Sequence, residues 1–342
     1  MSKARGHKGG KAELGEEIGE RHMIKIIQSL LSTMPNLPVP FGDDVSAVDI
    51  GDGRVAVLKT DMLVDKTDVP RGMSLWQAAR KAVVMNVSDF AAKGVKPAAL
   101  LISLGLPRHF MRKDIEEMTR GLNAGAQEYG AYVIGGDTNE ASDIVISVSL
   151  FGTAKRRALM LRSGAKAGDI VAVTGFFGKT TAGLRLLLDG YAASKELREV
   201  LLRSVFMPKA RLYEGLALCS SGAVSASIDS SDGLAWSLHE LARASRVGLV
   251  INSVPIAEEV LRFAEFNGLD ALELALYGGE EYELVVTVKH KRWADAETAV
   301  EAASGRLLPI GKVTRDKQVL LNVGGKTCAV ASRGWEHFKR TL

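Results

Sequence analysis

The sequence predicts a two-domain α+β protein, and three observations carry that prediction. They are the length of the chain, an alternation of strand-like and helix-like apolar runs on either side of a basic connector, and aspartates set where the strand-like runs end. At 342 residues the chain exceeds the roughly 250–300 at which a single core stops growing, and at about 100–200 residues per domain it divides into two. Hydrophobic residues make up 46% and charged residues 25% of the chain, which excludes a largely disordered polypeptide. Apolar stretches such as Ala98–Leu104 fall far short of the roughly 18 residues a membrane span needs, so a soluble protein with no membrane partner is expected.

The elements follow from apolar period. Period-two or continuous apolar runs predict strands at Val45–Ile50, Val55–Leu58, Ala98–Leu104, Ala131–Ile134 and Ile144–Phe151, and helical period predicts helices at Met23–Leu31, Leu75–Ala92 and Arg112–Tyr129. Lys155–Arg157 then forms a basic connector. Beyond it, strands are expected at Ile170–Val173, Ala223–Ile228, Val247–Ile251, Leu284–Val288 and Leu307–Val313, with helices at Ala182–Leu188, Ala210–Cys219 and Leu234–Ala244. The divisions are therefore an arm at 1–18, an N-terminal domain at 19–157 and a C-terminal domain at 158–342.

Residues 1–12 of the arm hold Lys3, Arg5, Lys8 and Lys11 before the first acid, Glu13, and so match the formal charge of +4. A solvated tail is the expected behaviour of such a terminus; nucleic acid is the other partner its charge would suit, and no specific nucleic-acid site is expected. It carries no apolar signal-peptide core. Cys219 and Cys328 are the two cysteines, without metal-ligand spacing or a disulfide framework, which fits a reducing cytoplasm.

Gly42-Asp43-Asp44, Thr60-Asp61, Gly135-Gly136-Asp137-Thr138 and Asp229-Ser230-Ser231-Asp232-Gly233 each adjoin a strand-like run. Any one of them alone is an ordinary turn or helix cap. Together, delivered to one sheet edge, such carboxylates repel unless cations sit between them, and hard oxygen ligands favour magnesium with substrate phosphates. Asp89 lies inside the predicted helix, one face with Asn86. It is either part of a polar site reached from the core or an i,i+4 surface pair with Lys93.

Two other segments suggest phosphate binding. Gly175-Phe176-Phe177-Gly178-Lys179-Thr180 follows a strand and opens a helix, but Val173 stands where a P-loop requires glycine. A packing turn is the preferred reading. Arg162-Ser163-Gly164 presents a guanidinium suited to a triphosphate or, equally, an exposed junction arginine.

In order along the chain, these motifs, together with Lys59-Thr60-Asp61-Met62-Leu63-Val64, Asn86-Val87-Ser88-Asp89-Phe90 and Gly278-Gly279-Glu280-Glu281-Tyr282-Glu283-Leu284, resemble the superfamily of aminoimidazole ribonucleotide synthetase, selenophosphate synthetase, the hydrogenase-maturation dehydratases and thiamine-monophosphate kinase. The match is best to the kinase family. The resemblance implies an N-terminal sheet domain that forms a homodimer, a C-terminal α/β sandwich domain, and direct magnesium-assisted transfer of the γ-phosphoryl group of ATP to thiamine monophosphate. It implies several magnesium ions on Asp44, Thr60, Asp61, Asp89, Asp137, Asp229 and Asp232, ATP on Gly136, Arg162 and Ser231, and the acceptor on Glu280 and Trp335; Asp68, where the family pattern is left, is read as a further acceptor contact. No general acid or base is implied. An amidine-forming synthetase of the purine-pathway type and an inactive nucleotide-binding regulator are the alternatives. The sequence departs from the family pattern at Lys59 (usually a small hydroxyl residue), at Asp68 (usually histidine) and at Glu281 (usually aspartate). Asp68 is expected either to face the cationic ring end of the acceptor or to be a solvated loop residue, paired with Lys66 or capping the turn before Pro70. Neither cysteine is placed as in the selenophosphate or hydrogenase-maturation relatives.

Overall fold

A computed structural model describes residues 19–338; the basic arm lies outside the described residues. The described residues form two compact units, 37–334 and a terminal unit of 19–36 with 335–338. In the terminal unit the helix Glu20–Leu30 is tied to the C-terminal segment, with Arg21 Nη1 at 3.3 Å from Glu336 Oε2 and the His337 amide donating to Glu20 Oε2.

The larger unit holds two sheets. The first contains β1 (Ser46–Gly51), β2 (Arg54–Val64), β3 (Pro97–Leu106), β4 (Tyr132–Glu140) and β5 (Val145–Lys155) in the order β1-β2-β5-β3-β4. Only the β3–β4 pairing is parallel. The second contains β6 (Ile170–Val173), β7 (Val224–Asp229), β8 (Gly248–Ile251), β9 (Leu284–Val288), β10 (Leu308–Thr314), β11 (Val319–Val323) and β12 (Lys326–Ala329), ordered β12-β11-β8-β10-β6-β9-β7. A single buried core, containing Val83, Ala91, Val148, Leu212 and Val286, joins the two sheets. We propose the stretch between the sheets, 156–169, as the domain division.

Two strands are longer than apolar runs alone predict. β2 continues through Lys59, Thr60 and Asp61 because each has a partner on β5, Asp61 facing Val148. β4 likewise runs through Gly135-Gly136-Asp137 against β3. Asp61 and Asp137 therefore lie within strands rather than after them. Helices Lys195–Phe206, Glu258–Asn267, Ala271–Tyr277 and Trp293–Ala302 and strands β11 and β12 were not expected. Lys195–Phe206 shows why: it buries only Leu197, Leu201 and Val205, a narrow stripe at i, i+4, i+8 on an otherwise charged segment.

Candidate active site

The site is organised by one helix. Leu75–Lys93 begins at a capping box, Ser74 Oγ accepting the Gln77 amide and Gln77 Oε1 accepting the Ser74 amide. It ends at Gly94, whose φ of 65° favours glycine; a Cβ there would also stand 2.3 Å from Cys219 Cβ. Its Ala- and Val-rich sequence is buried nearly all round, between the first sheet, β7 and the helix Leu212–Ser221. Polar groups inside such a helix need partners, because desolvation without a hydrogen bond is costly. Those partners define the site.

Arg80 holds Glu128 and the Pro208 carbonyl. Lys81, 1% exposed, reaches Asp68 O at 2.9 Å and Glu280 Oε1 at 2.5 Å. Asn86 Oδ1 accepts the Asp61 amide at 3.0 Å. Ser88 Oγ donates to Asp229 Oδ2 at 2.6 Å. Asp89 Oδ2 pairs with Lys59 Nζ at 3.0 Å. Lys93 does not pair with Asp89 on the surface: fully buried, it reaches Asp43 Oδ1 and Asp44 Oδ2, each at 2.7 Å, and donates to Ser227 O.

These contacts bring Asp44, Asp89 and Asp229 together, one carboxylate oxygen of each within 4.8 Å of the others, all buried. Asp44 comes from the loop before β1, Asp89 from the helix and Asp229 from the end of β7. Asp61, on β2, joins through Lys59, whose Nζ is 3.0 Å from Asp61 Oδ1. Burial would raise Asp44, but Arg162 and Lys93 outweigh it and hold its carboxyl below the ordinary range. Asp89 is pushed well above the ordinary value by burial, with Asp229, Asp61 and Asp44 adding to what Lys59 opposes. Burial and then the Asp44 charge push Asp229 up to about 7. Such a set of compressed carboxylates could hold a cation: all the ligand atoms are hard oxygens, and a divalent ion would remove their repulsion.

Arg162, Ser231, Glu280 and Asp68 connect to this group or to its organising helix. The guanidinium of Arg162 holds the Gly42–Asp44 loop, with Nε donating to Asp44 Oδ1 at 2.6 Å and Nη1 donating to Gly42 O and, at 3.4 Å, to Glu240 Oε2. Ser231 and Glu280 meet through the Glu280 amide, which donates to Ser231 O at 2.7 Å. Glu280 has a φ of 62°, a left-handed backbone uncommon for a non-glycine residue, held there by Ser231 and by Lys81. Asp232 stands at the entry to the helix Leu234–Ser245. Asp68 Oδ2 accepts the Val64 amide at 2.7 Å, which braces the loop, and Lys81 links that loop to Glu280. Trp335 belongs to the terminal unit, its ring edge-on to His337 at 5.8 Å.

Thr60, Gly136 and Asp137 are not in the buried group. Thr60 Oγ1 bonds to Ser149 Oγ. Cross-strand register joins Asp137 to Ser103, Ser147 and Met62 in one row, and residues opposite one another share a face. Met62 is 57% exposed, so Thr60 and Asp137 lie on the open face of the sheet and Asp61 on the covered one. Gly136 has a packing reason as well, since a Cβ would meet Ile102 O at 1.8 Å. The false P-loop is closed by protein: Glu281 Oε1 accepts the Gly178 and Thr180 amides at 2.8 and 3.1 Å, where a phosphate would otherwise bind.

Comparison with known proteins decides the family. Residues 42–154 match the AIR synthase related protein N-terminal domain and 166–323 its C-terminal domain. Thiamine-monophosphate kinase of Nitrosopumilus maritimus is 36% identical over 323 residues, 94% of this chain and 99% of the relative. That of Pyrococcus horikoshii is 39% identical over 300 residues, 87% and 91% of the two chains. This chain belongs to the thiamine-monophosphate kinase family. The solved structure of AaThiL complexed with AMPPCP and TMP superposes with a TM-score of 0.83 at 30% identity, covering 96% of this chain and all of the other. Within this kinase family fold, the residues that sequence reading missed are the buried cations Lys81 and Lys93 and the hydroxyl of Ser88. Their signal was present in the sequence as polar residues interrupting a helix otherwise apolar on every face. Among the described residues no helix is long and apolar enough to cross a membrane.

Proposed function

We propose that the chain transfers the γ-phosphoryl group of ATP directly to the phosphate of thiamine monophosphate, giving thiamine diphosphate, with magnesium as the metal. The observation that carries this reading is the buried group Asp44–Asp89–Asp229 at the centre of a fold whose relatives are thiamine-monophosphate kinases. Asp44, Asp89, Asp229 and Asp61 would hold magnesium, with Asp232 as a further ligand, and Thr60 and Asp137, on the open face of the sheet, would serve a separate ion. When bound, magnesium supplies neutralisation of two phosphorylated anions that must meet. The chain's own part is alignment: Lys93 and Arg162 fix Asp44, Ser88 fixes Asp229, and Asn86 fixes the backbone at Asp61. No side chain need act as a base, because the acceptor oxygen already carries negative charge. Gly136, Ser231 and Arg162 are proposed to border ATP, and Glu280, Asp68 and Trp335 the acceptor. A coupled assay of ADP release tests this. Release should require both magnesium and thiamine monophosphate; release with a purine-pathway amide acceptor instead, or with none, would refute it.

We propose further that the working form is a homodimer through the open face of the first sheet. Leu58, Phe151 and Tyr132 lie along one register row and are 43%, 39% and 67% exposed, with Met62 and Leu101 beside them at 57% and 50%. An apolar patch of this kind marks an interaction surface, and a symmetric pair of identical faces is the commonest way to cover one. Sedimentation equilibrium at micromolar concentration should give a dimer, and Leu101→Glu with Phe151→Glu a monomer. A monomeric native protein would refute the proposal.

Asp68→Asn separates the two roles open to that residue. Asparagine keeps an oxygen for the Val64 amide, so the loop survives and only the charge is lost. Affinity for thiamine monophosphate is expected to fall by about 1–3 kcal/mol, the scale of a lost charge-assisted contact, with ATP affinity unchanged. Unchanged acceptor binding by calorimetry would leave Asp68 as a brace alone.

A further inference from the structure

The ammonium of Lys59 is itself placed as a cation within the carboxylate group. β2 puts Lys59 and Asp61 two residues apart, hence on one face, and the buried helix brings Asp89 to the same point. Nζ stands 3.0 Å from Asp61 Oδ1 and 3.0 Å from Asp89 Oδ2, with the Lys59 side chain 19% exposed. Among the described residues three buried or half-buried cations thus serve the acidic centre, two of them sharing Asp44. Lys93 takes Asp43 and Asp44, Arg162 takes Asp44, and Lys59 takes Asp61 and Asp89. Asp229 has Ser88 instead of a cation.

We infer that Lys59 permanently occupies the cation position between Asp61 and Asp89, so that this chain works with one divalent ion fewer than its carboxylates would otherwise bind. The argument is one of space and charge. An ion bridging two carboxylate oxygens sits about 2.0–2.1 Å from each if it is magnesium, which is the volume Nζ and its hydrogens fill. A lysine is a compact point charge with three donors; two are directed at these oxygens. Divalent ions are then left with Asp44, Asp229 and the oxygens of Asp61 and Asp89 that Lys59 does not hold. The inference rests on the magnesium-dependent reading above.

The test counts ions. Mn2+ is titrated into the full chain in the presence of a non-hydrolysable ATP analogue, bound ions being read from the loss of the free Mn2+ electron paramagnetic resonance signal. Lys59→Ser, which opens the position and offers an oxygen, is expected to bind one more Mn2+ per chain than the native protein, and Lys59→Arg, which keeps a cation there, the same number as the native protein. A second readout is thermal stability: in chelator Lys59→Ser should melt below the native protein and recover on addition of Mg2+. Equal Mn2+ counts for native and Lys59→Ser overturn the inference while leaving the kinase reading intact. No bound Mn2+ in the native protein overturns both. If Lys59→Ser does not fold, Lys59→Thr carries the same two readouts.

Discussion

Asp229→Asn is expected to lower kcat by about 10³-fold, the scale of removing one group that stabilises transition-state charge, while making the metal-free protein more stable. The two effects have one origin. Asp229 is buried beside Asp44, and its carboxyl is raised from 3.8 to about 7. Its charged form is therefore disfavoured in the folded state. For an acid raised in this way, stability is fully present below the unfolded value and is lost as pH rises through the folded value. In chelator, native stability should fall between about pH 4 and pH 7, by at most on the order of 4 kcal/mol for Asp229. Asparagine has the same shape, accepts from Ser88 through its amide oxygen, and carries no charge. Melting temperatures at pH 5 and pH 8 in chelator should differ for the native protein and differ less for Asp229→Asn. Identical pH dependence in the two proteins would assign the strain to another group, and a variant with near-native turnover would remove Asp229 from the site.

The strain in Asp229 also shows why the sequence was only partly legible. Motif spacing located Asp44, Asp89 and Asp229, and the structure brings those three together, since each is delivered by an element whose period was readable: a loop before β1, an apolar helix and the end of β7. What spacing could not give was parity. Thr60 and Asp61 are adjacent in sequence, and alternation along a strand sends one to the open face and one to the covered face, a separation that adjacency alone does not show. Apolar runs ended β2 at Leu58 and β4 at Ile134, because the later residues owe their strand conformation to partners on β5 and β3 rather than to their own hydrophobicity. Long-range pairing likewise decided the lysines. Lys93 lies four residues after Asp89, the spacing of a helical surface pair, yet the helix is buried on that side and the acids it reaches, Asp43 and Asp44, are far away in sequence. Arg162 was legible as a binding arginine, whereas its partners on the Gly42–Asp44 loop were not.

Lys93→Met is expected to be the most destabilising single substitution near the site. The lysine is fully buried and its ammonium answers three oxygens: Asp43 Oδ1, Asp44 Oδ2 and Ser227 O. Methionine fills much of the same volume, so the loss is chiefly electrostatic. Asp43 would keep no lysine, Asp44 would depend on Arg162 alone, and the Ser227 carbonyl would lose its side-chain donor. Removing one partner of a buried ion pair costs about 3–5 kcal/mol, because the charge left behind cannot return to water. A urea titration should therefore show a lower midpoint at an unchanged slope. Lys96→Met, three residues on and exposed, is the control and should lie within about 0.5 kcal/mol of native. Pairing Lys93→Met with Asp43→Asn should recover part of the loss, since one of the orphaned charges is then gone. A Lys93→Met midpoint matching that of Lys96→Met would show that Asp43 and Asp44 are held by Arg162 without the lysine.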